Sequence, residues 1–220
     1  MTVTLILLAV IMATVIGWLL RQSLNTQPWV SNAADNAVTG PSLDTNAKTL
    51  GLITFLAVAT SLFALFISAY AIRMETADWL PVHEPRLLWI NSGVLVLASI
   101  VYHWTRQAAV AGRTASLKPG LTVAGALTLV FLAGQVVVWL QLDAAGLGVS
   151  GNPANAFFYL LTAVHGLHLL GGLWVWGRSM QRVFTGAGAD SVRLSIELCT
   201  VYWHYLLLVW VVLFALLVST

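Results

Sequence analysis

Four ionisable side chains lie inside two apolar stretches near the C-terminus, where a lipid-facing helix would avoid them. His165 and His168 are three residues apart in the first stretch, and Glu197 and His204 are seven apart in the second. On a helix, each spacing places the two side chains on one face. Ionisable groups inside a bilayer usually face protein, water or a bound polar ligand. These two faces are therefore expected to meet a specific partner.

The depth of the histidines suggests haem as one ligand. At 1.5 Å per residue, His165 and His204 both lie roughly 14 Å deep, with His168 about one turn nearer the cytoplasm. Two level histidines on facing helices could ligate haem, so a small b-type cytochrome with His165 and His204 as ligands is one hypothesis. A non-haem metal site is disfavoured because no carboxylate lies at their depth.

Two alternatives to haem stay open for the same histidines. They could brace the helices by bonding neighbouring hydroxyls and carbonyls, such as those of Tyr202 or Thr162. They could instead line a polar cleft that holds a lipid headgroup or a chain of water molecules.

A second pair of charged residues lies near the cytoplasmic ends of the same two stretches. Arg178 and Glu197 come within roughly 5 Å of the same level, and the 18 residues between them leave room for antiparallel packing. An arginine fork is the natural partner of a half-buried carboxylate, which predicts a charge pair. The alternative is that Glu197 reaches water and Arg178 reaches lipid phosphates.

The composition indicates a membrane protein. Of 220 residues, 59% are hydrophobic and only 8% are charged, and the mean hydropathy is +0.88, values outside the range of soluble domains. The net charge is only +2 and the basic residues are scattered between apolar runs, so no nucleic-acid partner is expected. The single cysteine, Cys199, excludes a disulfide framework and a cysteine metal site and is expected to be a packing residue.

Six stretches are long and apolar enough to cross a bilayer, which takes about 20 residues each. They predict an all-α fold, a polytopic membrane bundle of six transmembrane helices. The stretches are Thr2 to Leu20, Leu50 to Ile72, Leu87 to Trp104, Leu121 to Leu142, Ala156 to Trp176 and Leu194 to Val218.

The chain is expected to have three parts. Residues 1–22 form an extra N-terminal transmembrane helix, which is retained because its flanking basic residue, Arg21, follows the apolar run instead of preceding it. Residues 23–49 form a polar linker, and residues 50–220 form a five-helix transmembrane bundle.

The lysines and arginines predict the orientation of the chain. The loops after spans one, three and five carry eight of them, whereas the opposite side carries only Arg73 and Arg86. The positive-inside rule therefore places both termini outside and the three basic loops in the cytoplasm.

The segments FFYLLTAVHGLHLLGG and ELCTVYWHYLLLVW resemble the paired signature of subunit III of haem-copper respiratory oxidases. That signature has a Tyr-x-Leu-Thr entry, a His-Gly-x-His core, and a Glu followed by Tyr-Trp-His on the last helix. The resemblance runs from about Leu50 to the C-terminus in the family's order. Further matching positions are Phe63-Ala64, Ser68-Ala69-Tyr70, Leu88-Trp89-Ile90-Asn91 and Gly134-Gln135.

Two positions depart from that family's pattern. Ala59 stands where the family commonly has a membrane-embedded glutamate, and Leu207 stands where an aspartate usually follows Tyr-Trp-His-Phe-Val. A part in proton handling that depends on those carboxylates is therefore not carried over to this chain. The first span has no clear counterpart in the family.

The resemblance implies an accessory, non-redox subunit of a proton-translocating terminal oxidase of the cytochrome c oxidase type, in the plasma (inner) membrane of a bacterium. Its partners would be oxidase subunits I and II, which hold the haem and copper, together with membrane phospholipid. The chain itself would have no catalytic residue and no metal ligand. Corresponding subunits of quinol oxidases and nitric oxide reductases are the alternatives. A polar cluster is expected to line or brace the lipid-bearing bundle, formed by Arg178, His165, His168, Glu197, Tyr202, Trp203 and His204.

Overall fold

The computed structural model of the chain describes residues 47–81, 85–186 and 189–219. Five α-helices account for most of this described part. They are α1 (Ala47–Arg73), α2 (Arg86–Val110), α3 (Thr114–Ala144), α4 (Pro153–Phe184) and α5 (Ala189–Val218). The chain divides into two units between Ala71 and Ile72, so that nearly all of α1 belongs to the first unit and α2 to α5 belong to the second.

The described helices confirm the all-α membrane class. All five are long and apolar enough to cross a bilayer, as the hydropathy of the sequence predicts. The first predicted span, Thr2 to Leu20, and the linker up to residue 46 lie outside the described residues. The number of six transmembrane helices and the orientation of the termini therefore stay predictions.

The helices extend beyond the predicted spans. α3 begins at Thr114 instead of Leu121, and α4 continues to Phe184 instead of ending near Trp176. Hydropathy marks only the part of a helix inside the hydrocarbon, whereas backbone hydrogen bonds continue into the interface with polar residues. The connection between α4 and α5 is consequently reduced to residues 185–188.

The second unit is an antiparallel four-helix arrangement. α2 packs against α3 and α5, and α4 also packs against α3 and α5, so each helix has two neighbours. Short connections favour this order. The turns after α2 and α3 contain Gly112 and Gly146 with φ of 68° and 78°, a backbone conformation that glycine adopts readily at helix ends.

The start of α4 is capped in a way that its sequence predicts. The Asn152 side chain accepts a hydrogen bond from the Ala154 backbone N–H at 2.6 Å, and Pro153 occupies the first helical position, where its missing N–H costs nothing. Asn152 also donates through Nδ2 to the Leu80 carbonyl oxygen at 2.8 Å. This asparagine therefore joins the start of α4 to the segment that precedes α2.

Candidate functional site

His165 lies in the centre of the α2–α5 bundle. It is fully buried, with its ring centroid 6.0 Å from that of Phe131 on α3 and 5.0 Å from that of Trp210 on α5. Neither ring nitrogen has a hydrogen-bond partner among the described residues. The predicted burial of this histidine in protein is observed, but its immediate neighbours are aromatic rings.

Tryptophan side chains form the polar connections between the helices around His165. In three cases an indole N–H donates to a serine or threonine hydroxyl on a neighbouring helix. The pairs are Trp210–Ser92 at 2.9 Å, Trp203–Thr128 at 3.0 Å and Trp139–Thr162 at 3.0 Å. An indole N–H inside a membrane needs such a partner because lipid offers none. These bonds connect α5 to α2, α5 to α3, and α3 to α4.

Tyr202 and His168 join α5 to α4. The Tyr202 hydroxyl donates to the backbone carbonyl oxygen of His168 at 2.8 Å, and the His168 ring bonds through Nδ1 to the Val164 carbonyl oxygen one turn earlier, also at 2.8 Å. Trp203 follows Tyr202 and packs where α4 has Gly172. A Cβ atom on that glycine would overlap both aromatic rings, so the helices approach closely at this point.

A buried polar contact between α2 and α3 involves two of the segments that resemble the oxidase subunit. Asn91 donates through Nδ2 to the Phe131 carbonyl oxygen at 3.0 Å and lies 3.5 Å from Gln135 Oε1. Both side chains are buried. Gly134 leaves the space that Asn91 occupies, because a Cβ there would overlap its amide. Two distant sequence segments thus form one contact.

His204 lies apart from the other predicted site residues. It is exposed on the surface of the helix bundle, where its Nδ1 and the Ser99 hydroxyl of α2 share a hydrogen bond of 2.7 Å. Its ring stacks on that of His103 at 5.8 Å and 20°, and His103 Nε2 lies 3.1 Å from Gln107 Nε2. Sequence reasoning missed Ser99 as a partner, although its spacing of four from His103 puts both on one face of α2.

The predicted charge pair between Arg178 and Glu197 does not form in the described part of the chain. Glu197 accepts a hydrogen bond from Arg193 Nε at 3.0 Å, one turn earlier on α5. The Arg178 guanidinium lies over the Trp174 ring, 6.0 Å from its centroid. A partner at i−4 on the same helix is nearer than one across the bundle, and the aromatic face offers the arginine a cation–π contact.

The two candidate haem ligands do not face each other. His165 meets α5 at Trp210, which follows His204 by six residues and is therefore turned about 240° around the helix. His204 points instead to Ser99 and His103. The expected grouping of His165, His168 and His204 is accordingly wrong. Within the ranges that the structure describes, no three His, Cys, Asp or Glu side chains come together to hold a metal ion.

A family model and individual relatives of the chain all point to the same protein family. The model of the family described as "Cytochrome c oxidase subunit III" matches residues 3–219. Cytochrome c oxidase subunit 3 of Synechocystis sp. is 31% identical over 77% of this chain and 74% of its own length. Cytochrome c oxidase subunit 3 of Thermostichus vulcanus is 29% identical over 77% of this chain and 86% of its own. The family match also includes the first predicted span, for which we had expected no counterpart.

Proposed function

The chain belongs to the cytochrome c oxidase subunit III family, and we propose that it stabilises the catalytic subunit of its complex. As a family member it is an accessory subunit of a haem-copper oxidase. It is a membrane protein with several apolar helices. The proposed role is mechanical, because the chain would hold a rigid helical surface against the subunit that carries out the chemistry.

The observation that carries this role is the use of buried polar groups as connections between helices. Indole N–H groups of Trp203 and Trp210 bind hydroxyls on α3 and α2, and Tyr202 binds the backbone of α4. Hydrogen bonds within a membrane bundle contribute about 0.6 kcal/mol each on average. Several of them together favour one arrangement of α2 to α5, as a supporting subunit requires.

The family and the charge of the chain support a proposal for its partners and its location. We infer oxidase subunits I and II as partners, with haem and copper in those subunits, and phospholipid at the helix surfaces. The basic loops support an orientation with both termini outside in the inner membrane of a bacterium. His165, His168, Tyr202 and Trp203 would brace the bundle in this assembly.

Purification of the affinity-tagged full-length chain from its native membranes in mild detergent tests the proposal. We expect the oxidase chains to be recovered with it, together with the visible absorption of haem and a stoichiometric amount of copper. Recovery of the chain as a stable monomer without oxidase chains would refute the proposal. A Soret band that stays with the isolated chain would instead support the b-type cytochrome hypothesis.

Removal of the chain provides a second test, directed at stabilisation. An oxidase prepared without this subunit should begin with near-normal activity and lose it faster during sustained turnover than the complete complex does. Restoration of the lifetime by adding the purified chain is the matched control. Equal lifetimes with and without the chain would contradict a stabilising role.

A further inference from the structure

A groove runs between α2 and α5 on the surface of the bundle. It has a volume of about 330 Å³, and we refer to it as the α2–α5 groove. On α2 the positions that form its wall recur every three to four residues, so they belong to one face of that helix. From Val96 to His103 this wall is about 10 Å long, or two helical turns. The lining residues are Val96, Ser99, Ile100, His103, His204 and Leu207.

One polar side chain of the groove lies too deep in the bilayer to be solvated by bulk water. His204 is the 16th of the 30 residues of α5 and therefore lies about halfway along the helix. It is exposed on the surface of the chain, and its bond with Ser99 uses only one of its two ring nitrogens. Hydrocarbon offers the other nitrogen no partner, and ionisable side chains at this depth almost always face protein or a water-filled cavity. We therefore expect protein to cover the groove in the assembled complex.

Arg106 lies one turn beyond His103 on the same face of α2. Its Nε atom is buried and has no hydrogen-bond partner within the described residues. The ion pairs in that part of the chain use Arg73 and Arg193 instead. A buried guanidinium N–H without an acceptor is costly, and a carboxylate is the acceptor that binds a guanidinium through paired hydrogen bonds. The Arg106 Nε thus calls for an acceptor from outside the described residues.

Other apolar segments of the same chain do not supply this acceptor. Residues 2–20 and α1 contain neither Asp nor Glu. Glu197, near the same end of the bundle, is already paired with Arg193, so a second copy that offered this residue would have to break the pair. A lipid phosphate would satisfy Arg106 but would leave an acyl chain against His204. Charge complementarity therefore favours an acidic helix from a different protein chain.

The surface beside the groove has the relief that a third helix needs. On α5, His204, Leu208 and Val211 are exposed at spacings of four and seven residues, which makes them one row. The row on α2 that begins at Val96 and ends at His103 has the same spacing. A helix packs its own side chains between rows of this kind. The α2–α5 groove therefore fits a helix that runs along the bundle.

We propose that the α2–α5 groove seats a transmembrane helix from another chain of the oxidase, and that this helix carries an Asp or Glu that binds Arg106. The carboxylate accepts a hydrogen bond from Arg106 Nε. Polar groups further along the same helix meet His103 and His204, and its apolar side chains pack on Val96 and Ile100. The inference rests on the proposed function, because it states where on this chain the oxidase is held.

Site-specific photo-crosslinking in the intact complex tests this surface. Benzoylphenylalanine replaces Ile100 in the groove or, as the control, Leu167, which is 65% exposed on α4. Native membranes are illuminated, the complex is purified, and the cross-linked peptides are identified by mass spectrometry. We expect position 100 to be joined to an apolar segment of another oxidase chain that contains an Asp or Glu. Position 167 should give mainly lipid adducts, and equal protein cross-linking from both positions would count against the groove.

Exchange of charges tests the ion pair. Arg106→Glu should lower the recovery of oxidase chains with the tagged chain about tenfold, the loss expected for a charge-assisted hydrogen bond. Replacement of the cross-linked partner's carboxylate by Arg should restore the recovery, and failure of this rescue would overturn the pair. Arg182→Glu, the same change at an exposed position of α4, should have no effect. If Arg106→Glu does not assemble, the cross-link from position 100 in a chain that keeps Arg106 decides.

Other products from position 100 overturn the proposal. Lipid adducts alone would show that hydrocarbon covers the groove. A cross-link to residues 1–46 would show that the N-terminal part of the same chain covers it, and a cross-link to a second copy would show a homo-oligomer. Each of these results, in a complex that retains haem and copper, leaves the proposed function intact. Recovery of the unaltered chain without oxidase chains refutes the proposed function and this inference together.

Discussion

The indole N–H of Trp203 on α5 donates to the hydroxyl of Thr128 on α3 at 3.0 Å, and both side chains are almost completely buried. The bond runs through the interior of the bundle, between helices that are not direct neighbours in the chain. The Thr128 hydroxyl in turn donates to the Ala124 carbonyl oxygen at 2.9 Å. The pair therefore links a side chain of α5 to the backbone of α3.

Replacement of Trp203 by Phe should destabilise the bundle. The change removes the N–H donor and reduces the volume of a well-packed ring, for an expected loss of about 1–3 kcal/mol. The temperature at which the chain dissociates from the solubilised complex, measured on native gels, reports this loss. Trp174→Phe is the control because Trp174 is 71% exposed. Equal dissociation temperatures for Trp203→Phe and wild type would contradict the assigned bond.

The adjacent glycines of α4 should respond to alanine in opposite ways. A Cβ on Gly172 would overlap the rings of Trp203 and Tyr202, whereas a Cβ on Gly171 meets nothing within 4 Å. Gly172→Ala should therefore cost about 1–3 kcal/mol through overpacking. Gly171→Ala should be neutral or stabilise the helix by up to about 1 kcal/mol. Thermal unfolding in detergent compares the two variants, and equal effects would count against the close packing of α4 and α5.

The charge on Glu197 should couple to Arg193 and not to Arg178. The Arg193–Glu197 pair is an i, i+4 pair whose side chains are 49% and 26% exposed, so its coupling energy is expected to be about 0.3–0.5 kcal/mol. A double-mutant cycle with Arg193→Gln and Glu197→Gln measures this coupling through subunit dissociation. The same cycle with Arg178→Gln should give no coupling. Appreciable coupling to Arg178 would contradict this assignment and support the charge pair that the sequence predicts.

The connection before α2 should loosen in acid. The Arg73 guanidinium, through hydrogen bonds of 2.7 and 2.5 Å, and then the Thr76 hydroxyl hold the pKa of the Asp78 carboxyl well below its usual range. Because this pKa is lowered by folding, the stabilisation is fully present above the ordinary carboxyl pKa of about 4 and is lost as the pH falls further.

A spin label on Leu80→Cys reports the order of this connection across a pH titration, with buried Cys199 as the one native cysteine. At neutral pH the label should be less mobile in the chain that keeps Asp78 than in the Asp78→Asn variant. The difference should shrink as the pH falls below the ordinary carboxyl range. A difference that is independent of pH would show that Asp78 acts without its charge.

The membrane class, the five described helices and the family could all be predicted from the amino-acid sequence. Apolar runs of about 20 residues report a property of each segment alone, since a backbone in lipid has to satisfy its own hydrogen bonds within the helix. The start of α4 could likewise be predicted from neighbouring residues alone, because Asn152 caps the helix and Pro153 occupies its first position. The paired segments around His165 and His204 were sufficient to indicate the oxidase subunit, and the family match over residues 3–219 confirms it.

The contacts between polar side chains, in contrast, depend on how the helices pack and could not be predicted from spacing and depth. Spacing places His165 and His204 at similar depths, but the rotation of α5 about its own axis turns Trp210 toward His165 and His204 toward Ser99. Likewise, the similar depth of Glu197 and Arg178 in the membrane predicted an ion pair between them. In the structure Glu197 pairs instead with Arg193, which is nearer on the same helix. Helix rotation results from how rings such as Trp203 fit beside small residues such as Gly172, and that fit depends on all four helices at once.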